Sequence, residues 1–504
     1  MKISFILCPF WHTEAPPLGI GYLSAYLKSK KYITSCFDFN IDLYNKSKGK
    51  LKKGWNFYLP DLERNALFNH NFFKTNLFVD NEIDRWVDMI LATKSDVICF
   101  SIYFENKLIS LELAQRIKKK DSCKKIIFGG PYCRINNLET FYEFPFFPEV
   151  IDAFVVGEGE ETLFRLLESY MKYKSFKACN GVVIPRFYAR EIVTSSGKGN
   201  FILNAIRMTL FKNSLYYTRD PITDLDKIPF PLYNDFPIQQ YTRKRAVYLL
   251  SSRGCVGSCV FCRDRHMWPG FSTRSPENIF LEMRLRKKQG YTFIRFSDLI
   301  VNGNLENLET LCDLIIKNKL IITWDGALKS HPRLDMRFFS KLKRSGYCGG
   351  NFSIESGSQK ILNKMKKGHI IKILEMNLRD MHSSGIKQSI NIICGFPDET
   401  NDTIRQTFDF IQRNKKYIFA LPSLTPFYVL PESDIFRDYR KYGIKLGSNV
   451  ENWESLDGKN TYEWRLKKCE QFYNYVTSLG IKTECDQFKK DINTYKSLKS
   501  KILK

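Results

Sequence analysis

The chain has 504 residues and a net charge of +25, from 78 Lys and Arg residues against 53 Asp and Glu residues. This length exceeds what one hydrophobic core supports, so we predict two large domains and an extension. Apolar residues make up 43% of the chain and aromatic residues 14%, which excludes an intrinsically disordered protein. The 14 cysteines favour a reducing compartment over a disulfide framework.

The N-terminal run Met1–Leu7 is cut off by Pro9 and predicts a β-strand rather than an export signal. No stretch of the sequence approaches the ~20 apolar residues that cross a bilayer. The lysines are scattered along the chain, which is typical of a solvated surface, so nucleic acid is not the expected partner. We therefore predict a cytoplasmic protein without a membrane span.

In residues 1–200, short apolar runs alternate with helical patterns. Such alternation predicts an α/β domain with a doubly wound parallel (Rossmann-like) sheet. The predicted strands are Lys2–Leu7, Ile33–Phe39, Asp96–Ser101, Lys125–Gly129 and Asp152–Val156. The predicted helices are Gly19–Leu27, Leu108–Lys119 and Thr162–Tyr170. Residues 41–80 form a polar, aromatic insertion to which the pattern assigns no structure.

The prolines of residues 201–240 predict an extended linker. The alternation resumes in residues 241–450, where about six β/α units predict a partial (β/α)6 barrel. Its predicted strands are Ala246–Leu250, Thr292–Phe296, Leu320–Thr323, Asn351–Ile354, Gln388–Ile393 and Leu424–Val429. Ser275 is expected to cap a helix that begins at Pro276. Residues 451–504 predict a small, basic, mainly helical C-terminal extension.

Three cysteines follow the first strand of this predicted barrel, at Cys255, Cys259 and Cys262. The spacing CxxxCxxC lets three thiolates bind three irons of a cubic iron–sulfur cluster, which leaves the fourth iron open to a molecule that is not protein. Catalytic groups of barrels collect on the loops after such strands. The alternative is a structural zinc site, for which His266 could supply a fourth ligand.

This loop resembles the cluster loop of the radical S-adenosylmethionine (SAM) superfamily. The resemblance extends to the segments Phe296–Asp298, Ile354–Ser358 and Ile392–Thr400, in the same order along the chain. It implies a [4Fe–4S] cluster ligated by the three cysteines, SAM on the open iron, and release of a 5′-deoxyadenosyl radical when the cluster is reduced. It also implies four SAM contacts: Phe261 near the adenine, Asp298 at the methionine end, Glu355 at the ribose and Gly395 beside the adenine.

The N-terminal half resembles the cobalamin-binding domain of the cobalamin-dependent radical SAM class. The matching segments are Pro16–Leu23, Phe128–Pro131 and Val156–Thr162. The residues that the resemblance assigns to cobalamin are Pro17, Gly19, Gly129, Gly130, Gly157, Glu158 and Gly159. Two features depart from common patterns: Tyr132 stands where the family often has histidine, and there is no DxHxxG motif for a lower axial ligand.

From these resemblances we expect a methyltransferase acting on an unactivated carbon of a peptide or small-molecule biosynthetic intermediate, with an electron donor such as flavodoxin or ferredoxin. One alternative is a cobalamin-dependent radical SAM cyclase or oxidoreductase without methyl transfer. A tRNA methylthiotransferase ranks lower, because Cys8, Cys36 and Cys99 lack the motifs for a second cluster. A non-catalytic cobalamin- or peptide-binding protein also ranks lower, because the cysteines and the downstream SAM segments occur together.

Overall fold

The computed structural model describes residues 1–55, 76–133, 147–177, 179–185, 222–268, 270–447 and 450–483. The described residues up to Tyr248 form one compact unit, and those from Leu249 form a second. No helix of the described ranges is both long enough and apolar enough to cross a membrane. Residues 201–221 of the expected linker lie outside these ranges, and residues 222–240 contain only two short 3-10 turns, at Leu225–Lys227 and Ile238–Gln240.

The first unit is built on one sheet with the strand order β2-β1-β3-β4-β5-β6. Its strands are β1 (Lys2–Leu7), β2 (Ile33–Asp38), β3 (Val97–Ser101), β4 (Lys125–Gly129), β5 (Ala153–Val155) and β6 (Val182–Val183). Neighbouring strands from β2 to β5 are parallel, and β6 is antiparallel to β5. Because parallel strands need crossovers, helices follow them along the chain. The predicted α/β class with a parallel sheet is confirmed.

The helices of this unit are α1 (Leu18–Ser29), α2 (Phe39–Lys46), α3 (Gly49–Lys52), α4 (Leu77–Ala92), α5 (Lys107–Lys120), α6 (Phe147–Val150) and α7 (Gly159–Tyr173). The sequence analysis assigned no structure to residues 41–80, and so missed the helix that begins at Leu77. Its buried residues Val79, Ile83, Trp86 and Ile90 recur at helical spacing. Asn76 caps it by accepting a hydrogen bond from the amide of Val79.

The second unit continues from β7, which crosses the boundary between the units. The strands are β7 (Ala246–Leu249), β8 (Ser252–Arg253), β9 (Ser272–Thr273), β10 (Phe293–Phe296), β11 (Thr323–Asp325), β12 (Gly349–Glu355), β13 (Lys387–Cys394), β14 (Ala420–Pro426), β15 (Ile444–Lys445), β16 (Glu454–Ser455) and β17 (Lys482–Thr483). One sheet has the order β11-β10-β7 and another the order β12-β13-β14-β17. Two isolated parallel bridges, from Trp324 to Tyr347 and from Leu328 to Phe352, link them.

The helices of the second unit are α8 (Pro276–Lys288), α9 (Leu305–Lys317), α10 (Met336–Arg344), α11 (Gln359–Lys364), α12 (Ile371–Ser383), α13 (Asn401–Asn414), α14 (Asp434–Arg437) and α15 (Tyr462–Ser478). Ser275 caps α8 as predicted, by accepting from the amide of Asn278. The strand expected at Leu320–Thr323 instead occupies Thr323–Asp325. Leu320 still belongs to the turn that ends α9, because its amide donates to the carbonyl oxygen of Ile315 and Lys319 before it has φ of +52°.

The C-terminal extension contributes more than the predicted helix. After α15, strand β17 pairs in parallel with β14, so the extension adds a strand to the sheet of the second unit. A two-residue strand carries no periodicity, which is why the sequence pattern did not predict it.

Candidate active site

We call residues 250–271 the cysteine loop, which begins directly after β7. Cys255, Cys259 and Cys262 are all half-buried. Gly254 has φ of +81°, and a Cβ at this position would lie 1.8 Å from the carbonyl oxygen of Gly270. Only glycine therefore fits where the chain turns into the loop.

Gly257 lies between two of the three sulfurs. A Cβ there would lie 3.3 Å from Sγ of Cys255 and 3.7 Å from Sγ of Cys259. The amide of Gly257 also donates a hydrogen bond to Sγ of Cys255 at 3.3 Å. Hydrogen bonds to sulfur ligands tune iron–sulfur clusters. Three partly accessible thiols, two of them beside a residue without a side chain, are a donor set that fits a [4Fe–4S] cluster.

The contacts of His266 do not support the zinc alternative. Its Nε2 lies 3.2 Å from Oδ1 of Asp434 rather than at the cysteines. Within the described ranges, no three or more His, Cys, Asp or Glu side chains converge as ligands of one metal ion do. In a [4Fe–4S] cluster each thiolate binds a different iron, so the sulfurs need not converge on one point. The contact of His266 with Asp434 therefore removes the fourth ligand that the zinc alternative needed.

Asp298 holds the start of the cysteine loop. Its Oδ1 accepts hydrogen bonds from the hydroxyls of Ser251 at 2.6 Å and Ser252 at 2.5 Å, and its Oδ2 accepts from the amide of Ser251 at 3.0 Å. Burial raises the pKa of this carboxyl, and the serine hydrogen bonds act in the opposite direction. These contacts give Asp298 a positioning role, and its contact with the methionine end of SAM stays a prediction.

Glu355 forms a buried ion pair next to the loop. Its Oε1 lies 2.9 Å from Nζ of Lys367, and the two side chains are 9% and 11% exposed. Glu355 has φ of +68°, a strained conformation of the kind that collects at functional sites. Nζ of Lys367 also lies 5.8 Å from the ring centroid of Phe261 in the cysteine loop. Lys367 thus lies near both Glu355 and Phe261, and the SAM contacts of these two residues stay predictions.

Two lysines that the sequence analysis missed surround the cysteine loop. Nζ of Lys329 lies 3.8 Å from where a Cβ of Gly257 would stand. Burial raises the pKa of the Cys259 thiol, whereas Lys367 and Lys329 lower it. Positive charge favours thiolate over thiol. The two ammonium groups therefore suit anionic ligands at this loop.

His369 is a third residue that the sequence analysis missed. Both ring nitrogens are buried without a hydrogen-bond partner among the described residues. Burial first, and then Lys367 and Lys329, lower its pKa to about 3, against a smaller opposite effect of the Ile354 backbone. The imidazole is therefore neutral. Unpaired buried polar groups are rare in folded proteins, so the ring nitrogens of His369 are candidates for contact with a bound molecule.

Gly395 forms a tight turn at the end of β13. Its φ is +85°, and a Cβ there would overlap the side chain of Arg465. Its amide donates to Oε2 of Glu399, and its carbonyl oxygen accepts from Nδ2 of Asn460 at 3.0 Å. The C-terminal part of the chain therefore packs directly on the turn that the resemblance assigns to SAM.

Glu399 gives this turn a pH dependence. Burial raises the pKa of its carboxyl from 4.5 to about 8, against the Gly395 amide and Lys468, which lower it. Between these two pH values the folded state keeps a proton that the unfolded state releases, so stability falls as pH rises. We expect Glu399→Gln, which cannot titrate, to flatten the loss of melting temperature between pH 5 and pH 8. Exposed Glu454→Gln is the control, and equal slopes in both variants would refute the effect.

The residues assigned to cobalamin lie on the side of the first unit's sheet where the parallel strands end. They stand at or just beyond the carboxyl ends of β1, β4 and β5, which β3 joins in the sheet. They are Pro17, Gly19, Gly129, Gly130, Gly157, Glu158 and Gly159. The φ angles of Gly130 and Gly157 are +101° and +81°. Gly19 is exposed, and a Cβ there would meet no heavy atom of the described chain within 4 Å outside its own helix. Space is therefore open at Gly19, and the contacts of these residues with cobalamin stay a prediction.

Comparison with known proteins identifies the second unit. Residues 249–411 match the family model of the Radical SAM superfamily. An uncharacterized methyltransferase of Pyrococcus horikoshii is 25% identical over 57% of this chain and 58% of its own length. A putative methylthiotransferase of Methanocaldococcus jannaschii is 26% identical over 65% and 67%. An anaerobic magnesium-protoporphyrin IX monomethyl ester cyclase of Rubrivivax gelatinosus is 21% identical over 80% and 68%. The predicted radical SAM domain is confirmed for residues 249–411, and the chain spans 58% of the length of the Pyrococcus relative.

Solved structures share the fold across both units. The cobalamin-dependent SAM radical enzyme OxsB, with aqua-cobalamin and SAM bound, aligns with a TM-score of 0.65 and 16% identity over 95% of this chain and 66% of its own. The radical SAM methyltransferase TsrM from Kitasatospora setae, with cobalamin and a [4Fe–4S] cluster bound, aligns with a TM-score of 0.59 and 14% identity over 89% and 79%. At these identities the likeness shows the fold alone.

Proposed function

We propose that this chain is a cobalamin-dependent radical SAM methyltransferase that methylates an unactivated carbon of a peptide or small-molecule biosynthetic intermediate. One observation carries the proposal: its fold matches cobalamin-bound enzymes over nearly the whole chain, including the unit that precedes the radical SAM domain. In this proposal residues 1–200 form a Rossmann-like cobalamin domain, and β7 and the strands β10 to β14 form a partial (β/α)6 barrel. Flavodoxin or ferredoxin would supply electrons in the cytoplasm.

When bound, the cluster and SAM supply a carbon-centred radical, and cobalamin supplies a methyl group. Cys255, Cys259 and Cys262 would hold the cluster. Glu355, oriented by its ion pair with Lys367, would bind the ribose hydroxyls of SAM. The ammonium of Lys329 makes no hydrogen bond or ion pair with the described residues and would pair with a carboxylate at the cysteine loop.

Gly19 offers a direct test of cobalamin binding. A Cβ at this exposed helical position meets no described neighbour, so Gly19→Leu should keep the melting temperature. The leucine side chain would fill the open space there, so we expect the Kd for cobalamin to rise at least ~10-fold, since a clash that costs ~1.4 kcal/mol has that effect. Ser29→Leu, at an exposed position of the same helix, is the control. Equal affinities of both variants in absorbance titrations would contradict this placement.

Methyl transfer is tested with trideuteromethyl SAM under anaerobic, reducing conditions. We expect the cobalamin-loaded protein without substrate to form S-adenosylhomocysteine in an amount that matches the cobalamin. With a peptide or metabolite fraction from the producing cells, a labelled product and 5′-deoxyadenosine should appear. Formation of 5′-deoxyadenosine without S-adenosylhomocysteine would overturn methyl transfer.

That last outcome would favour the second candidate, a radical SAM cyclase or oxidoreductase. The likeness to the magnesium-protoporphyrin ester cyclase supports it, because the match spans 80% of this chain. The two candidates share the cysteine loop and differ only in the fate of the methyl group of SAM.

A further inference from the structure

A segment that follows β14 along the chain contacts the cysteine loop. It comprises residues 433–447 and 450–465, and we call it the C-terminal brace. Oδ2 of Asp434 lies 3.3 Å from Nη1 of Arg265, and its Oδ1 lies 3.2 Å from Nε2 of His266. The amide of Ile435 donates to the carbonyl oxygen of Val260 at 2.9 Å. The brace therefore holds the loop both between its cysteines and just beyond them.

One hydrophobic cluster joins the brace to the cysteine loop and to three other segments of the chain. Its members are buried residues from the cysteine loop (Val260), from the segment after β12 (Ile361 and Met365), from the Gly395 turn (Phe396), from the chain after β14 (Phe427 and Val429) and from the brace (Ile435, Ile444 and Trp453). The amide of Val260 also donates to the carbonyl oxygen of Met365. Segments far apart in sequence thus share one packed interior, and close packing transmits a displacement of any member to the others.

The end of the brace holds the Gly395 turn. Nδ2 of Asn460 donates to the carbonyl oxygen of Gly395 at 3.0 Å, and Oδ1 of Asn460 accepts from Nη1 of Arg465 at 2.9 Å. The guanidinium carbon of Arg465 lies 3.9 Å from the ring centroid of Trp453, and the whole residue is buried. The brace therefore has fixed contacts at both ends.

We propose that the C-terminal brace is a positioning element that fixes the cysteine loop relative to the Gly395 turn, with Asp434 as the positioning residue at the loop. The loop has only short elements of regular structure between β8 and β9, and such segments open locally unless other contacts hold them. The inference rests on the radical SAM part of the proposed function and is independent of cobalamin and of methyl transfer.

Asp434→Asn tests the proposal, and Asp438→Asn is the matched control. Asp438 is on the same segment, and Lys441 is its one partner among the ion pairs of the described residues. In the iron-free protein we expect hydrogen exchange of peptides from the cysteine loop to accelerate about 10-fold in Asp434→Asn, because two charge-assisted contacts are lost. In the reconstituted protein we expect the KM for SAM in substrate-free 5′-deoxyadenosine formation to rise several-fold, with iron content and melting temperature retained. The control should match the wild type.

If Asp434→Asn lowers the melting temperature, the double variant Arg265→Gln, His266→Gln removes the same contacts from the loop side and leaves the pair of Asp434 with Arg437. Wild-type loop exchange and KM for SAM in both the Asp434 variant and the double variant would overturn the positioning role. These measurements need no cobalamin, so a failure of methyl transfer leaves them interpretable.

Discussion

Cys259→Ala is expected to abolish both cluster assembly and reductive cleavage of SAM. Loss of a group that merely orients a metal ligand costs ~10–100-fold, so loss of a ligand itself should lower 5′-deoxyadenosine formation by more than ~100-fold. Cys255→Ala and Cys262→Ala should behave alike, because each thiolate holds a different iron. The measurements are iron and sulfide per chain, cluster absorbance after anaerobic reconstitution, and 5′-deoxyadenosine formed without substrate.

Cys348→Ala is the control for this series, since Cys348 is also half-buried, in the same unit, and outside the loop. It should keep the full iron content and SAM cleavage. Retention of the cluster in all three loop variants would refute the assignment. Zinc in place of iron in the purified wild-type protein would also refute it.

The sequence was sufficient for the parts of the site that depend on local geometry. The spacing of the cysteines and the position of Gly395 follow from neighbouring residues in the sequence. The structure shows why glycine stands at Gly395, and also at Gly254 before the cysteines, by their φ angles and close contacts. Lys329 and His369 depend on tertiary packing, and no spacing rule brings them to the loop. The polar residues from Lys366 to His369, shortly after the segment Ile354–Ser358, were a local signal for Lys367 and His369, and Lys329 had none.

The same distinction between local pattern and tertiary packing applies to the fold. Buried strands such as β1 and β4 are strongly apolar and were found close to their true bounds. Helix α4 was missed although its apolar residues recur at helical spacing, because the polar residues before it dominated the composition of the segment. The role of Asp434 could not be predicted, because its partners in the loop, Arg265 and His266, lie 169 and 168 positions before it in the sequence.

The largest expected loss of stability is that of Glu282→Gln. Oε2 of Glu282 lies 2.5 Å from Nη1 of Arg274 and Oε1 lies 2.8 Å from Nη2 of Arg286, with all three side chains at most 5% exposed. Removing the one carboxylate leaves two guanidinium groups buried without a counter-charge. Breaking a buried pair in this way costs about 3–5 kcal/mol. We expect the thermal transition of the second unit to move clearly lower in the iron-free protein.

Glu309→Gln is the control, because Glu309 pairs with Lys341 at a half-exposed site, where such a pair contributes at most ~1 kcal/mol. Similar shifts in both variants would show that the buried triad has no special importance. Arg274 also donates from Nη1 to the carbonyl oxygen of Leu250 and from its amide to that of Ser251, where the cysteine loop begins. Glu282→Gln should therefore lower iron retention as well as stability, whereas Glu309→Gln should change neither. We therefore expect the buried triad of Arg274, Glu282 and Arg286 to stabilise the segment that carries the proposed cluster ligands.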